Sequence, residues 1–124
     1  MKKVLLVDDN QLIRKLVPMY LNQHGCEVDV CNGPFGVLNK VREFTPDVIL
    51  LDLNMPGLGG IKLAGLLKSA NWAASSRIIL FSSEDECLQA DMVREGLADG
   101  YFMKNHSLDG LMEKIEDIHC ACSS

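Results

Sequence analysis

The chain has 124 residues, 48% hydrophobic and 23% charged, enough for one domain with a buried core. Its 12 Lys and Arg against 17 Asp and Glu give a net charge of -5 and a pI near 5.1, which argues against nucleic acid as the main partner. No apolar run approaches the roughly 20 residues of a membrane span, and Met1-Lys2-Lys3 precedes too short an apolar run for a signal peptide, so a cytoplasmic protein without membrane contact is expected.

The first apolar run, Val4-Leu5-Leu6-Val7, reads as a buried strand and ends at Asp8-Asp9. Asn10 is a plausible N-cap for a helix in which Ile13, Leu16, Val17, Tyr20 and Leu21 recur at helical spacing, with Pro18 inside it and Gly25 as its C-cap. Cys26 to Cys31 reads as a second strand, with Val28 and Val30 on one face. Gly33-Pro34 should open a helix carrying Val37, Leu38 and Val41 and ending near Phe44, with proline in the first turn. Thr45-Pro46 breaks the chain before the strand Val48-Ile49-Leu50-Leu51, which ends at Asp52.

A glycine-rich loop, Met55 to Gly60, leads to a helix from about Ile61 to Ala70, and Asn71 to Ser76, with Trp72, links it to Ile78-Ile79-Leu80-Phe81. That strand ends at Ser82-Ser83. A helix is expected from Glu84 to Glu95 with Leu88, Met92 and Val93 inward and Gly96 as the stop. Gly100 starts the strand Tyr101-Phe102-Met103, which ends at Lys104, and Ser107 reads as the N-cap of a last helix bearing Leu111, Ile115 and Ile118.

Five alternating strand–helix units predict right-handed crossovers and a parallel sheet. The fold class expected is α/β, a single doubly wound five-stranded parallel sheet of order 2-1-3-4-5 with five helices, spanning residues 1–124 without an output domain. The five cysteines, Cys26, Cys31, Cys87, Cys120 and Cys122, are odd in number and irregular in spacing, and read as reduced thiols. His24, His106 and His119 have no metal spacing and read as surface or capping residues.

In open α/β sheets the site lies outside the carboxyl ends of the strands. Three acids, a hydroxyl and one lysine should therefore meet there. Adjacent carboxylates repel, and a hard cation with oxygen preference resolves the repulsion. Asp9 and Asp52 are the best side-chain ligands, with Asp8 binding directly or through water. An aspartate is also a competent phosphoryl acceptor. Lys104 offers a compact charge for a phosphoryl oxygen, and the Ser82 hydroxyl offers a hydrogen bond.

At Val7-Asp8-Asp9, Leu51 to Gly57, Phe81-Ser82-Ser83-Glu84 and Gly100 to Lys104 the chain resembles the receiver domain of two-component response regulators, in its stand-alone, CheY-like form. The resemblance implies that Asp52 accepts phosphate from a phosphohistidine of a sensor histidine kinase or phosphotransfer protein. It implies Mg2+, with Mn2+ as a substitute, held by Asp8, Asp9, Asp52 and the main-chain carbonyl of Asn54. Lys104 and Ser82 would assist, Ser82 and Tyr101 would be the switch pair, and Asn54 and Glu84 would tune phosphate lifetime. The product would be a monomeric signalling switch that acts on a downstream protein through the face around Tyr101 and assists only its own phosphorylation and dephosphorylation. Chemotaxis is one setting in which such regulators work.

One departure stands out: Asn105 follows Lys104, where the family usually has proline in a cis bond. A cis bond before a non-proline residue costs about 2.5–4 kcal/mol, so either a trans bond with a rearranged loop or a strained cis bond held by its surroundings is expected, and a trans bond that displaced Lys104 from Asp52 would count against efficient phosphorylation. Two rivals remain. A phosphohydrolase with an aspartyl-phosphate intermediate would carry D-x-D after the first strand, which Asp8-Asp9-Asn10 does not match. A pseudo-receiver would act as an interaction module independent of phosphorylation.

Overall fold

The computed structural model describes residues 2–55, 57, 59–70, 75–104 and 107–122, with side chains as far as His119. Strands are β1 (Lys3–Val7), β2 (Glu27–Cys31), β3 (Val48–Leu51), β4 (Arg77–Ser82) and β5 (Gly100–Met103). Helices are α1 (Gln11–Gln23), α2 (Val37–Phe44), α3 (Gly60–Ser69), α4 (Glu86–Arg94) and α5 (Leu111–Cys122). All strand pairs are parallel and the order is β2-β1-β3-β4-β5, the order expected.

The alternation of each strand divides the core in two. Val4, Leu6, Val48, Leu50, Ile79 and Phe81 face Val17 and Leu21 of α1 and Leu111 and Ile115 of α5. Leu5, Val7, Ile49, Leu51, Ile78 and Leu80 face Val37 and Val41 of α2, Leu63 and Leu67 of α3 and Met92 of α4. The register pairs like with like, Val4 with Val48 and Leu51 with Leu80, so each layer is continuous across the three central strands. Both faces are covered, which is why these strands carry unbroken apolar runs.

Helix ends follow local chemistry. Asn10 caps α1, its side chain accepting from the N–H groups of Leu12 and Ile13. His24 is the C-cap, its Nδ1 donating to the Tyr20 carbonyl, and Gly25 follows at φ +84°, where a glycine is favoured. Val17 and Leu21 are the buried residues of α1, whereas Leu16 lies outward with Leu12 and Met19.

Several expectations need correction. Pro34 does not open α2; it sits in a bend, and the helix starts at Val37 behind a left-handed Gly36. α4 starts at Glu86, because Asp85 accepts from the N–H groups of Cys87 and Leu88 and caps it. Leu88 is 37% exposed rather than inward; Gln89 takes the inward position with Met92. Ser107 does not cap α5; its hydroxyl accepts from the Asp109 N–H in a turn that precedes the helix at Leu111. Trp72, Asn105 and His106 lie outside the described residues, as does the geometry of the Lys104–Asn105 bond, and Cys120 and Cys122 lie beyond the described side chains. Among the described residues no helix is long and apolar enough to cross a membrane.

Candidate functional site

Each acid of the site begins where a buried strand stops. β1 and β3 are neighbours, and the chain leaves β1 toward β2 on one side and returns to β3 on the other. The crevice at that reversal is the binding position of open α/β sheets. Asp8, Asp9 and Asp52 meet in it, with one carboxylate oxygen from each within 4.8 Å of the others. Asp8 is fully buried and Asp52 is 3% exposed, while Asp9 faces solvent.

Two carboxylates buried side by side need compensation. Backbone supplies part of it: the Asn10 N–H donates to Asp8 Oδ1 at 2.8 Å and the Asn54 N–H to Asp52 Oδ1 at 3.1 Å. Lys104 supplies a second part. Its Nζ lies 2.6 Å from Asp8 Oδ2 and 3.3 Å from Asp52 Oδ2. Its ammonium lies 5.8 Å from the centre of the Phe81 ring, and its backbone N–H donates to the Ser82 carbonyl, so the end of β5 delivers the charge beside β4. Lys104 is thus placed against Asp52, not displaced from it.

The compensation is incomplete. Desolvation is the main reason that the Asp52 carboxyl titrates above its ordinary value; the Asn54 N–H and the Lys104 charge pull it down and the Asp8 charge pushes it further up. Asp8 Oδ2 touches the Lys104 ammonium but accepts no well-directed hydrogen bond. A hard divalent cation takes such oxygens as ligands. Asp8, Asp9 and Asp52 therefore suit one, by donor type, by spacing and by unmet acceptor capacity.

The other expected residues are distributed around this centre. Ser82 ends β4, is fully buried, and its hydroxyl accepts from the Glu84 N–H at 3.2 Å. Asn54 is exposed, its N–H used by Asp52. Tyr101 is half-buried on β5 and donates its hydroxyl to Glu86 Oε2 at 2.8 Å, with the Lys114 ammonium 6.0 Å from its ring centre. That hydrogen bond and the Glu86 charge hold the phenol above its usual titration range. Tyr101, Glu86, Phe102 and Lys114 line a cavity of about 550 Å³ between α4, β5 and α5.

Sequence reasoning missed Arg14, whose guanidinium donates to the Asp8 carbonyl at 3.1 Å, and Gln89, a fully buried amide beside Ser82. A signal for Gln89 existed: it stands three residues before Met92 and four before Val93, on the inward stripe of α4.

Three acids and a lysine in a switch-point crevice place the chain among α/β proteins with a site at the carboxyl ends of the strands, and comparison narrows the class. The family model for the response regulator receiver domain matches residues 4–116, and the chain belongs to that family. PilG of Pseudomonas aeruginosa is 30% identical over 114 residues, 92% of this chain and 84% of that protein. A nitrate/nitrite response regulator homologue of Haemophilus influenzae is 34% identical over 119 residues, but this chain spans only 56% of it. Among solved structures, TrrA of Thermotoga maritima, in complex with Mg2+ and BeF, aligns with TM-score 0.83 and 30% identity over 95% of this chain and 99% of that one. The chemotaxis protein CheY4 of Vibrio cholerae aligns with TM-score 0.86 and 25% identity over 95% and 98%.

Proposed function

We propose that this protein is a phosphorylation switch in a two-component phosphorelay, working in the cytoplasm, and that Asp52 is its acceptor. The observation that carries the reading is the pair of buried carboxylates, Asp8 and Asp52, sharing one ammonium with acceptor capacity left unmet. A carboxylate oxygen of Asp52 attacks the phosphorus of a phosphohistidine on a sensor kinase or phosphotransfer protein. The phosphorus–nitrogen bond breaks and its electron pair leaves with the imidazole. The product is a mixed anhydride on Asp52 and a free histidine.

The charge of the incoming group sets the roles of the neighbours. Asp8, Asp9, Asp52 and the Asn54 carbonyl would hold Mg2+, which when bound neutralises phosphoryl oxygens and screens the acids from them. Lys104, already against Asp52, turns its ammonium to a phosphoryl oxygen, and the Ser82 hydroxyl gives up the Glu84 N–H to donate to another. A ligand that interacts differently with the two arrangements shifts their populations. The Tyr101 face would then change its affinity for a downstream protein.

Intact-mass measurement after incubation with Mg2+ and acetyl phosphate tests the reading. One added phosphoryl group, absent without Mg2+ and absent in Asp52→Asn, is expected. No adduct on the parent chain would move the reading to a phosphorylation-independent interaction module. Turnover of an added phosphomonoester, with a burst above one phosphate per chain, would favour a phosphohydrolase.

A further inference from the structure

The Gln89 amide is placed where no ordinary core residue would be. Its side chain is fully buried on α4, and its Nε2 donates to the Glu84 carbonyl at 2.9 Å and to the Ser82 carbonyl at 3.3 Å. The same nitrogen lies 3.4 Å from Met103 Sδ, one residue before Lys104. One NH2 group therefore pins both ends of the Ser82–Glu84 turn to α4 and touches the end of β5. Its Oε1 is buried and accepts nothing. Stability alone favours an apolar side chain at such a position, because a half-satisfied buried amide is costly.

The hydroxyl of Ser82 makes the position informative. In this arrangement it accepts from the Glu84 N–H. When it turns to a phosphoryl group on Asp52, that N–H loses its acceptor while the Glu84 and Ser82 carbonyls stay bound to Gln89. The turn then moves with its hydrogen-bonded amide, and the amide belongs to α4.

We propose that Gln89 is a positioning residue that makes α4 follow the Ser82–Glu84 turn, so that the state of Asp52 reaches the outer face of α4. The proposal rests on the reading of Asp52 as acceptor. It assigns to Gln89 no contact with phosphate or metal, and so separates transmission from chemistry.

The native thiol of Cys87 reports on α4, since it is exposed and stands two residues before Gln89. Alkylation at Cys87, read by peptide mass spectrometry, is compared with and without Mg2+ and beryllium fluoride, in the parent and in Gln89→Met. Acetyl phosphate adducts are counted in parallel. The parent is expected to change its Cys87 labelling rate on adding beryllium fluoride. Gln89→Met is expected to keep the adduct and the Mg2+ requirement but lose the change in rate. Equal responses in parent and variant, or an unchanged Cys87 rate in a parent that forms the adduct, would overturn the role of Gln89. A parent without adduct would instead overturn the acceptor reading. If Gln89→Met does not fold, as judged by circular dichroism, Gln89→Leu replaces it and is read in the same way.

Discussion

Lys104→Met removes the cation that touches both buried carboxylates. At an effective dielectric constant of about 20, contacts of 2.6 and 3.3 Å correspond to about 6 and about 5 kcal/mol of gross attraction, much of it offset by desolvation of the ammonium. The Lys104 side chain is only 15% exposed, so screening by solvent is limited. Removing one partner of a buried pair costs about 3–5 kcal/mol, because the remaining charge is stranded. For a domain of this size that corresponds to roughly a 10–20 °C fall in Tm at pH 7.5 without Mg2+. The loss should depend on pH in a defined direction. Without the lysine, which pulls it down, the Asp52 carboxyl titrates higher still in the folded chain, so stability falls as pH rises through that raised value. At about pH 4, where carboxyls protonate, parent and variant should converge. Magnesium at about 100 times its Kd should return about 2.7 kcal/mol if it occupies the acids, and should raise the Tm of the variant more than that of the parent. Thermal unfolding by circular dichroism at several pH values, with and without Mg2+, measures all of this. A fall of less than about 1 kcal/mol, or one independent of pH, would refute the argument that Lys104 balances buried charge.

Further predictions follow from neighbouring residues. Asp52→Asn should raise the Tm of the metal-free chain at pH 7–8, since burial disfavours the Asp52 carboxylate, and the gain should vanish toward acid pH, where native Asp52 is protonated; thermal melts across pH check the sign. Gly60→Ala would place a Cβ 2.5 Å from Leu53 Cα and 2.6 Å from the Asp52 carbonyl oxygen, both backbone atoms. The β3–α3 loop must shift, at about 1–3 kcal/mol, and phosphorylation of Asp52 by acetyl phosphate should slow. Ultraviolet titration should find Tyr101 above the ordinary range, and Glu86→Gln should bring that titration down. Leu50→Ala, at a fully buried position between α1 and α5, should cost about 2–5 kcal/mol in urea unfolding.

The sheet was legible because burial on both faces leaves a residue pattern that depends on nothing else: four-residue apolar runs in β1 and β3, each stopped by an acid. Asp8, Asp9, Asp52 and Lys104 could be placed together for the same reason, since each directly follows a strand. What failed depended on local backbone conformation or on hydrogen bonds between residues close in sequence. Pro34 satisfies the pattern of a helix start, yet the left-handed Gly36 ends the turn and delays α2. Leu88 and Gln89 are adjacent, and apolar periodicity prefers the leucine inside. The structure buries Gln89 with its amide donating to two carbonyls of the β4–α4 turn, partners that are invisible until the turn exists.

The same logic explains how a repulsive cluster of acids is kept in place. The backbone N–H of Asp8 donates to the Cys31 carbonyl at the end of β2, that of Asp52 to the Val7 carbonyl at the end of β1, and that of Lys104 to the Ser82 carbonyl at the end of β4. Each charged residue is thus fixed by the last rung of a parallel ladder, whose strands are anchored by apolar layers on both faces. Side-chain charge contributes little to where these residues sit, only to how comfortably they sit there. A substitution that changes charge at residue 8, 52 or 104 should therefore alter stability, cation affinity and phosphoryl chemistry while leaving the strand order intact. The parts free to respond are those outside the ladder: the Ser82 hydroxyl, the Lys104 ammonium and the turn that Gln89 holds. In the proposed switch, a conformational signal would therefore pass through hydrogen bonds that can be exchanged without breaking the sheet.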